Sequence, residues 1–263
     1  MVNFLGHGDT QQIILLPGTA HECFEFGWRS FDIAERLQSP VFVLSDLDLG
    51  MNQWMIDPFD YPDQPMDRGK VHWEEDLEKL TERWGRYLDV DGDGIPYRTI
   101  PGNRSPISPW FARGTGHDEY ANYTENHEDW ERNMARIVKK YETARQYMPK
   151  PIVENMRSAK IGLIAFGSTH PAMEEARDYL KDDELKTNYM RIRAIPFTSE
   201  VKKFIDKNDI VYVVEMNRDG QMHQLLTLEY PEYSNKMVSL TKHDGLPLSA
   251  QWVTETVLAQ EKK

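Results

Sequence analysis

Unbroken apolar runs, each followed by a helical pattern, constrain this chain most. A strand without polar alternation must be covered on both faces, as in a parallel sheet flanked by helices. Ile161-Gly162-Leu163-Ile164-Ala165-Phe166 is the first such run of the C-terminal part, and Gly167-Ser168-Thr169 then turns into a helix with Pro171 at its first position. Tyr189 to Ile195 predicts a second strand, and Thr198 can cap a helix through Phe204 and Ile205. Ile210 to Glu215 is a third, Gly220 opens a helix through Leu225 and Leu226, and a last helix runs from Ser249 to Ala259. This alternation predicts a doubly wound α/β domain over residues 155–263.

The N-terminal 50 residues carry one βαβ unit. Ile13-Ile14-Leu15-Leu16 is stopped by Pro17-Gly18, and Thr19 is a natural N-cap. Cys23, Phe24, Gly27, Phe31, Ala34 and Leu37 then share one helical face before Pro40 and the run Val41-Phe42-Val43-Leu44. A single βαβ cannot cover its own sheet, so its remaining strands are expected from elsewhere.

Residues 51–154 differ, being dense in proline and glycine yet rich in aromatics such as Trp54, Tyr97, Trp110 and Phe111. A disordered linker would be poor in these, so an ordered connecting or interface region is expected. Leu77, Leu80, Trp84 and Leu88 predict one helix there, and Trp130 to Met148 an amphipathic one closed by Pro149 and Pro151.

Composition removes several classes of function. The net charge of −12 disfavours nucleic acid and anionic membranes. No apolar run approaches the ~20 residues that span a bilayer. No signal peptide is visible at the start, so the cytoplasm is expected. The single cysteine, Cys23, allows no internal disulfide and no cysteine-ligated zinc or iron–sulfur site, and on the apolar helix face it reads as core. The sequons at Asn103 and Asn122 are then chance matches.

Three groups of residues could carry chemistry. Asp89-Val90-Asp91-Gly92-Asp93-Gly94 fits the start of an EF-hand loop, in which alternate carboxylates converge on Ca²⁺ or Mg²⁺. Ile100 stands where the bidentate glutamate belongs, and the other reading is an acidic turn held by its own hydrogen bonds. Gly167-Ser168-Thr169 and the stretch from Asn217 through Gly220 and Gln221 lie where strands give way to helices. Backbone amides there favour an anion, and simple helix capping is the competing account. His117-Asp118-Glu119, with Arg98, Arg104 and Arg113 nearby in sequence, could form an acid–base cluster or a structural ion-pair network.

In order along the chain, a series of short motifs resembles the alpha subunit of 2-oxoacid:ferredoxin oxidoreductases, especially the 2-oxoglutarate type. They are Gly6-His7-Gly8-Asp9, Leu16-Pro17-Gly18-Thr19, Glu22-Cys23-Phe24, Pro40 to Asp46, Arg86-Tyr87 and Asp93-Gly94-Ile95-Pro96-Tyr97-Arg98 with Pro101-Gly102. His117-Asp118-Glu119, Gly167-Ser168-Thr169, Glu215-Met216-Asn217 and Gly220-Gln221 complete them. The resemblance implies that residues 1–50 end a thiamine-pyrimidine-type domain and that residues 155–263 are a transketolase C-terminal-like domain. It implies the C-terminal half of the subunit, with the start of the pyrimidine domain absent, so no catalytic residue is named. In that family a 2-oxoacid is oxidatively decarboxylated to acyl-CoA, and ferredoxin takes the electrons. Thiamine diphosphate, Mg²⁺ and an iron–sulfur cluster are implied on a partner beta subunit, and this chain alone is expected to be inactive. Arg98 and Arg104 are the cations expected to meet CoA, the 2-oxoacid or the partner. Two rivals are a stand-alone calcium-binding α/β module and a non-redox transketolase-type enzyme. The latter would need a GDG…N motif for the cofactor diphosphate; Gly92-Asp93-Gly94 has no Asn at the usual distance with the right flanks, although Asn122 and Asn126 lie near.

Overall fold

The computed structural model describes residues 2–6, 8–112, 114 and 116–262. In chain order the elements are β1 (Ile13–Leu15), α1 (Ala20–Leu37), β2 (Val41–Val43), α2 (Leu47–Met51), α3 (Glu74–Lys79) and α4 (His127–Ala144). Then follow β3 (Ile152–Glu154), β4 (Ile161–Phe166), α5 (His170–Asp182), β5 (Thr187–Ile192) and β6 (Ala194–Ile195). The chain ends with α6 (Ser199–Lys207), β7 (Ile210–Glu215), α7 (Gln221–Glu229), β8 (Met237–Thr241) and α8 (Ala250–Glu261). None of the described helices is long and apolar enough to cross a membrane.

The compact units do not follow sequence order. One gathers the stretches up to Ile13, Trp28–Phe42 and Pro62–Tyr147; the other gathers Ile14–Gly27, Val43–Tyr61 and the chain from Met148 onward. Long-range packing thus sorts the chain differently from the sequential partition expected at 50 and 155.

In the second unit a five-stranded sheet runs in the order β3-β5-β4-β7-β8. β5, β4, β7 and β8 are parallel, and β3 closes one edge antiparallel to β5. Leu163 and Ala165 of β4 join Tyr212 and Val214 of β7 in a core with Met173, Ala176 and Leu180 of α5 and Val253 and Val257 of α8. Gly162 points to the other face, where an added Cβ would lie 2.9 Å from the Phe204 ring of α6. Both faces are therefore covered, which is why these strands read as unbroken apolar runs. A smaller sheet has the order β2-β1-β6, with Ile14 opposite Ile195 and Leu15 opposite Ala194 in antiparallel register.

Several elements depart from the sequence reading. The helix expected over Leu77 to Leu88 stops at Lys79. Gly85 lies against the Glu119 carbonyl, where a Cβ would sit at 2.5 Å, and the Tyr87 amide donates to the same carbonyl at 2.9 Å. Tertiary backbone pairing has replaced the helical ladder. β3, β8 and α2 were not anticipated. β3 and β8 are short edge strands whose apolar residues are ended or broken by Glu154 and Ser239. Pro171 sits second in α5 rather than first.

Candidate functional site

The parallel strands follow one another across the sheet as second, first, third and fourth, so the crossovers diverge between β4 and β7. A crevice outside the C-terminal ends of the two strands flanking such a switch point is where open α/β sheets bind ligands. Phe166 and Glu215 end those strands, and both turns expected to bind anions follow them.

Each turn does hold an anion, and the chain supplies it. Asp46 accepts from the Ser168 amide at 2.9 Å through Oδ2 and from the Leu49 amide at 2.9 Å through Oδ1, so one carboxylate caps α2 and the turn into α5 together. Gly167 has φ near 65°, and a Cβ there would lie 2.8 Å from Asp46 Oδ2. Only glycine fits this turn without strain. Thr169 Oγ1 donates to the Phe166 carbonyl. In the second turn, Glu215 is buried to 1% exposure and accepts from the Met222 amide at 2.8 Å and the His223 amide at 3.0 Å. Asn217 donates its Nδ2 to Glu215 at 2.7 Å and accepts the Gln221 amide at 3.1 Å. Gly220, with φ of 63°, packs against Ser239. The amides named here are already used, while the buried Ser168 Oγ has no hydrogen-bond partner. Periodicity reveals a turn; it cannot reveal that Asp46, 122 residues away, fills it.

A buried ion-pair node lies in the same unit. Arg191 is the largest fully buried side chain, and its Nη2 donates to Glu22 Oε1 at 2.9 Å. The Arg193 Nε lies 2.7 Å from Glu22 Oε1, and the Gly18 amide donates to Glu22 Oε2 at 2.7 Å. Thr19 Oγ1 accepts the Glu22 amide at 3.2 Å, half of a capping box whose glutamate has turned to Gly18 and the arginines instead. An added Cβ at Gly18 would strike the Arg191 guanidinium and sit 2.8 Å from the Gly167 carbonyl, so the Pro17-Gly18-Thr19 and Gly167-Ser168-Thr169 turns meet here. Burial alone would raise the Glu22 carboxyl; hydrogen bonds from Arg191 and Gly18 and the charges of Arg191 and Arg193 outweigh it and hold the group below the carboxylate range. His170 stacks on Tyr189 and is pushed down by burial and by the Arg191 charge, so its imidazole is neutral. Cys23 is half-buried, and burial with the charges of Asp46 and Glu22 pushes its thiol up, opposite to a nucleophile.

In the first unit the acidic loop is occupied by ammonium groups. Lys70 Nζ lies 2.7 Å from Asp91, 2.8 Å from Asp93 and 3.0 Å from the Ile95 carbonyl, and Lys139 lies 3.8 Å from Asp89. Among the described residues no group of three acids or histidines is arranged to hold a metal. A lysine brought from outside the motif does the work of a cation, which the motif itself does not disclose. Lys70→Ala should therefore create a Ca²⁺ response: calorimetry is expected to show heat with the variant and none with the parent, and equal heats would refute the substitution of metal by lysine.

His117, Asp118 and Glu119 part company. His117 stacks on Tyr87 at 3.9 Å between centroids and accepts Asn133 Nδ2 on its carbonyl at 2.6 Å. Asp118 accepts the Tyr120 and Asn122 amides, a turn cap, and Glu119 pairs with Arg132 at 2.6 Å. Arg98 pairs with Glu35 and with the Arg68 carbonyl, not with the aspartates near it in sequence. The Arg104 amide donates to Glu74 at 2.7 Å. Arg113 and His7 lie outside the described residues. His117, Asp118 and Glu119 thus take three separate partners, of which the Glu119–Arg132 pair is the ionic one, because successive residues in a turn point apart.

No family model matches the chain. Curated relatives do. The alpha subunit of 2-oxoacid:ferredoxin oxidoreductase 2 from Aeropyrum pernix is 29% identical over 252 residues, 93% of this chain and 37% of the relative. The 2-oxoacid:ferredoxin oxidoreductase alpha subunit from Saccharolobus solfataricus is 26% identical over 98% of this chain and 40% of its own length. The 2-oxoglutarate synthase subunit KorA from Methanothermobacter thermautotrophicus is 28% identical over 82% of this chain and 55% of its own. The chain thus spans about half or less of the curated relatives it matches. Among solved structures, the 2-oxoglutarate:ferredoxin oxidoreductase from Magnetococcus marinus, with 2-oxoglutarate, coenzyme A and succinyl-CoA bound, aligns with a TM-score of 0.81 and 24% identity over 97% of this chain and 43% of that one. That match carries the fold, and the observed α/β architecture accords with the transketolase C-terminal-like domain that the sequence motifs imply.

Proposed function

We propose that this chain is the C-terminal half of the alpha subunit of a thiamine-diphosphate-dependent 2-oxoacid:ferredoxin oxidoreductase, with 2-oxoglutarate as substrate, working in the cytoplasm beside a beta subunit. The carrying observation is the likeness of nearly the whole chain to alpha subunits of that description.

The residues present do not fit the cofactors of such an enzyme. One cysteine cannot ligate an iron–sulfur cluster, and the Asp89, Asp91 and Asp93 carboxylates are engaged by lysines. We therefore assign thiamine diphosphate, Mg²⁺ and the cluster to the partner. What the chain contributes is position. Asp46, Glu215 and Glu22 lock the turns at the ends of their strands and helices, leaving rigid elements on which a partner can rest.

Residues 89–119 are the surface we assign to the partner or to the CoA and substrate entrance. Trp110 and Phe111 are 38% and 64% exposed there, a composition enriched in interface centres. With Arg98 held by Glu35, the aromatics rather than the arginine carry the proposal. The isolated chain is expected to show no 2-oxoacid oxidation with any artificial electron acceptor, and activity is expected only when it is co-produced with a beta subunit and the remaining alpha sequence. Turnover by the purified chain alone would refute the assignment of chemistry to the partner. Trp110→Ala with Phe111→Ala should weaken assembly about tenfold or more with folding unchanged; unchanged assembly would remove this surface from the interface.

A further inference from the structure

The first unit contains a cavity of about 260 Å³. Ile13, Leu37, Ile137, Tyr141 and Ala144 supply much of its wall, and Lys140 is the one charged side chain among its lining residues. For scale, an engineered cavity of ~150 Å³ accepts benzene, so a single ring with a polar substituent fits this one. An apolar chamber with a single cation is the usual plan of a small-ligand site: bulk from the walls, orientation from one or two polar groups.

Lys140 does not have the partner that a buried ammonium needs. Its Nζ donates to the Gln38 carbonyl at 3.2 Å and to Ser39 Oγ at 2.6 Å, both neutral acceptors, which leaves one of its three protons unused. Burial, reinforced by the positive charges of Arg136 and Arg86, pushes it down to about 8. Those two arginines are themselves pulled down by burial, and the one acid whose field opposes them is Asp89, acting on Arg136. No carboxylate is within ion-pair distance of Lys140 among the described residues, in a chain whose net charge is −12. A largely buried charge is ordinarily paired. Gln38, whose carbonyl bonds Lys140, has its side-chain Nε2 committed to the Pro96 carbonyl at 2.6 Å. The cavity wall thus carries a cation short of an anion.

From this geometry we infer that the cavity binds a small carboxylate, its anion paired with Lys140 and its apolar body against Leu37, Ile137 and Tyr141. The anion supplies the missing counter-charge, and the size matches one ring or a short branched chain. No bond is made or broken, so the site is one of binding.

The test uses the full 263-residue chain and mandelate as probe, with benzyl alcohol lacking the carboxylate. Calorimetry is expected to give saturable mandelate binding below about 10 mM, with benzyl alcohol at least tenfold weaker. Lys140→Met should lose mandelate binding at least tenfold while remaining folded by circular dichroism. Should that variant not fold, the wild-type chain decides: mandelate must slow acylation of Lys140 by acetic anhydride, read by peptide mass spectrometry, and benzyl alcohol must not. Absence of saturable binding, equal affinity for benzyl alcohol, undiminished binding by folded Lys140→Met, or acylation unaffected by mandelate would each overturn the site.

Discussion

Glu22→Ala is expected to destabilise the protein by about 3–5 kcal/mol, because it leaves Arg191 buried and without its counter-ion. The Glu22 and Arg191 side chains are 8% and 2% exposed, so solvent screening cannot soften the loss. Arg193 loses its shorter carboxylate contact and keeps only Glu25 at 3.5 Å. The Gly18 amide loses its acceptor as well. For a protein of this size the midpoint should fall on the order of 10 °C. The double variant Glu22→Leu with Arg191→Met should recover much of the loss, since a buried pair is replaced by apolar volume rather than broken. Chemical denaturation measures both. A single-variant loss below about 1 kcal/mol, the size of a surface pair, would mean that the node is solvated and not the joint described here. The pH dependence carries a sign. The Glu22 carboxyl is held below its ordinary value in the folded protein, so its contribution is complete above the unfolded carboxylate value near ~4.3 and is lost as pH falls through the folded one. The stability difference between parent and Glu22→Gln should therefore be constant at neutral pH and shrink below about pH 4.

Glu215→Ala is expected to cost about 2–4 kcal/mol and to turn an internal anion site into an external one. The Met222 and His223 amides and Asn217 Nδ2 would be left without their acceptor at the start of α7. Sulfate suits such amides at a helix N-terminus. The variant's melting temperature should therefore rise with sulfate by more than the parent's, following ligand linkage. Glu215→Gln, which keeps one carbonyl oxygen, should lose about 1 kcal/mol and gain no sulfate response. Identical sulfate responses in Glu215→Ala and the parent would show that the carboxylate does not fill the cradle.

Much of the architecture was open to inspection in the chain alone. β4, β7 and the helices after them were legible because burial on both faces forces unbroken apolar runs, and Thr19 was legible as a cap because capping is local. The family likeness was legible for the same reason, since the motifs that carry it are turns such as Gly167-Ser168-Thr169, whose glycine is required by a backbone at φ near 65°. Edge strands β3 and β8 carry no such signal, because each is short and interrupted by a polar residue, Glu154 or Ser239. The helix predicted through Leu88 failed where Gly85 meets the Glu119 carbonyl, a contact between residues 34 positions apart that no periodicity encodes.

The sequence by itself determined which residues sit in turns, which strands are buried and what kinds of side chain stand at the strand ends. Those properties depend on neighbours within a few positions. Only the tertiary structure decided what each charged group is for. Asp46 reaches Ser168, Glu22 reaches Arg191, Lys70 reaches Asp93, and Arg98 turns to Glu35. An ionised group takes the nearest opposite charge in space, and spatial proximity across 23 to 169 residues is set by packing of the whole chain. The same packing left Lys140 beside an apolar cavity with no carboxylate of its own.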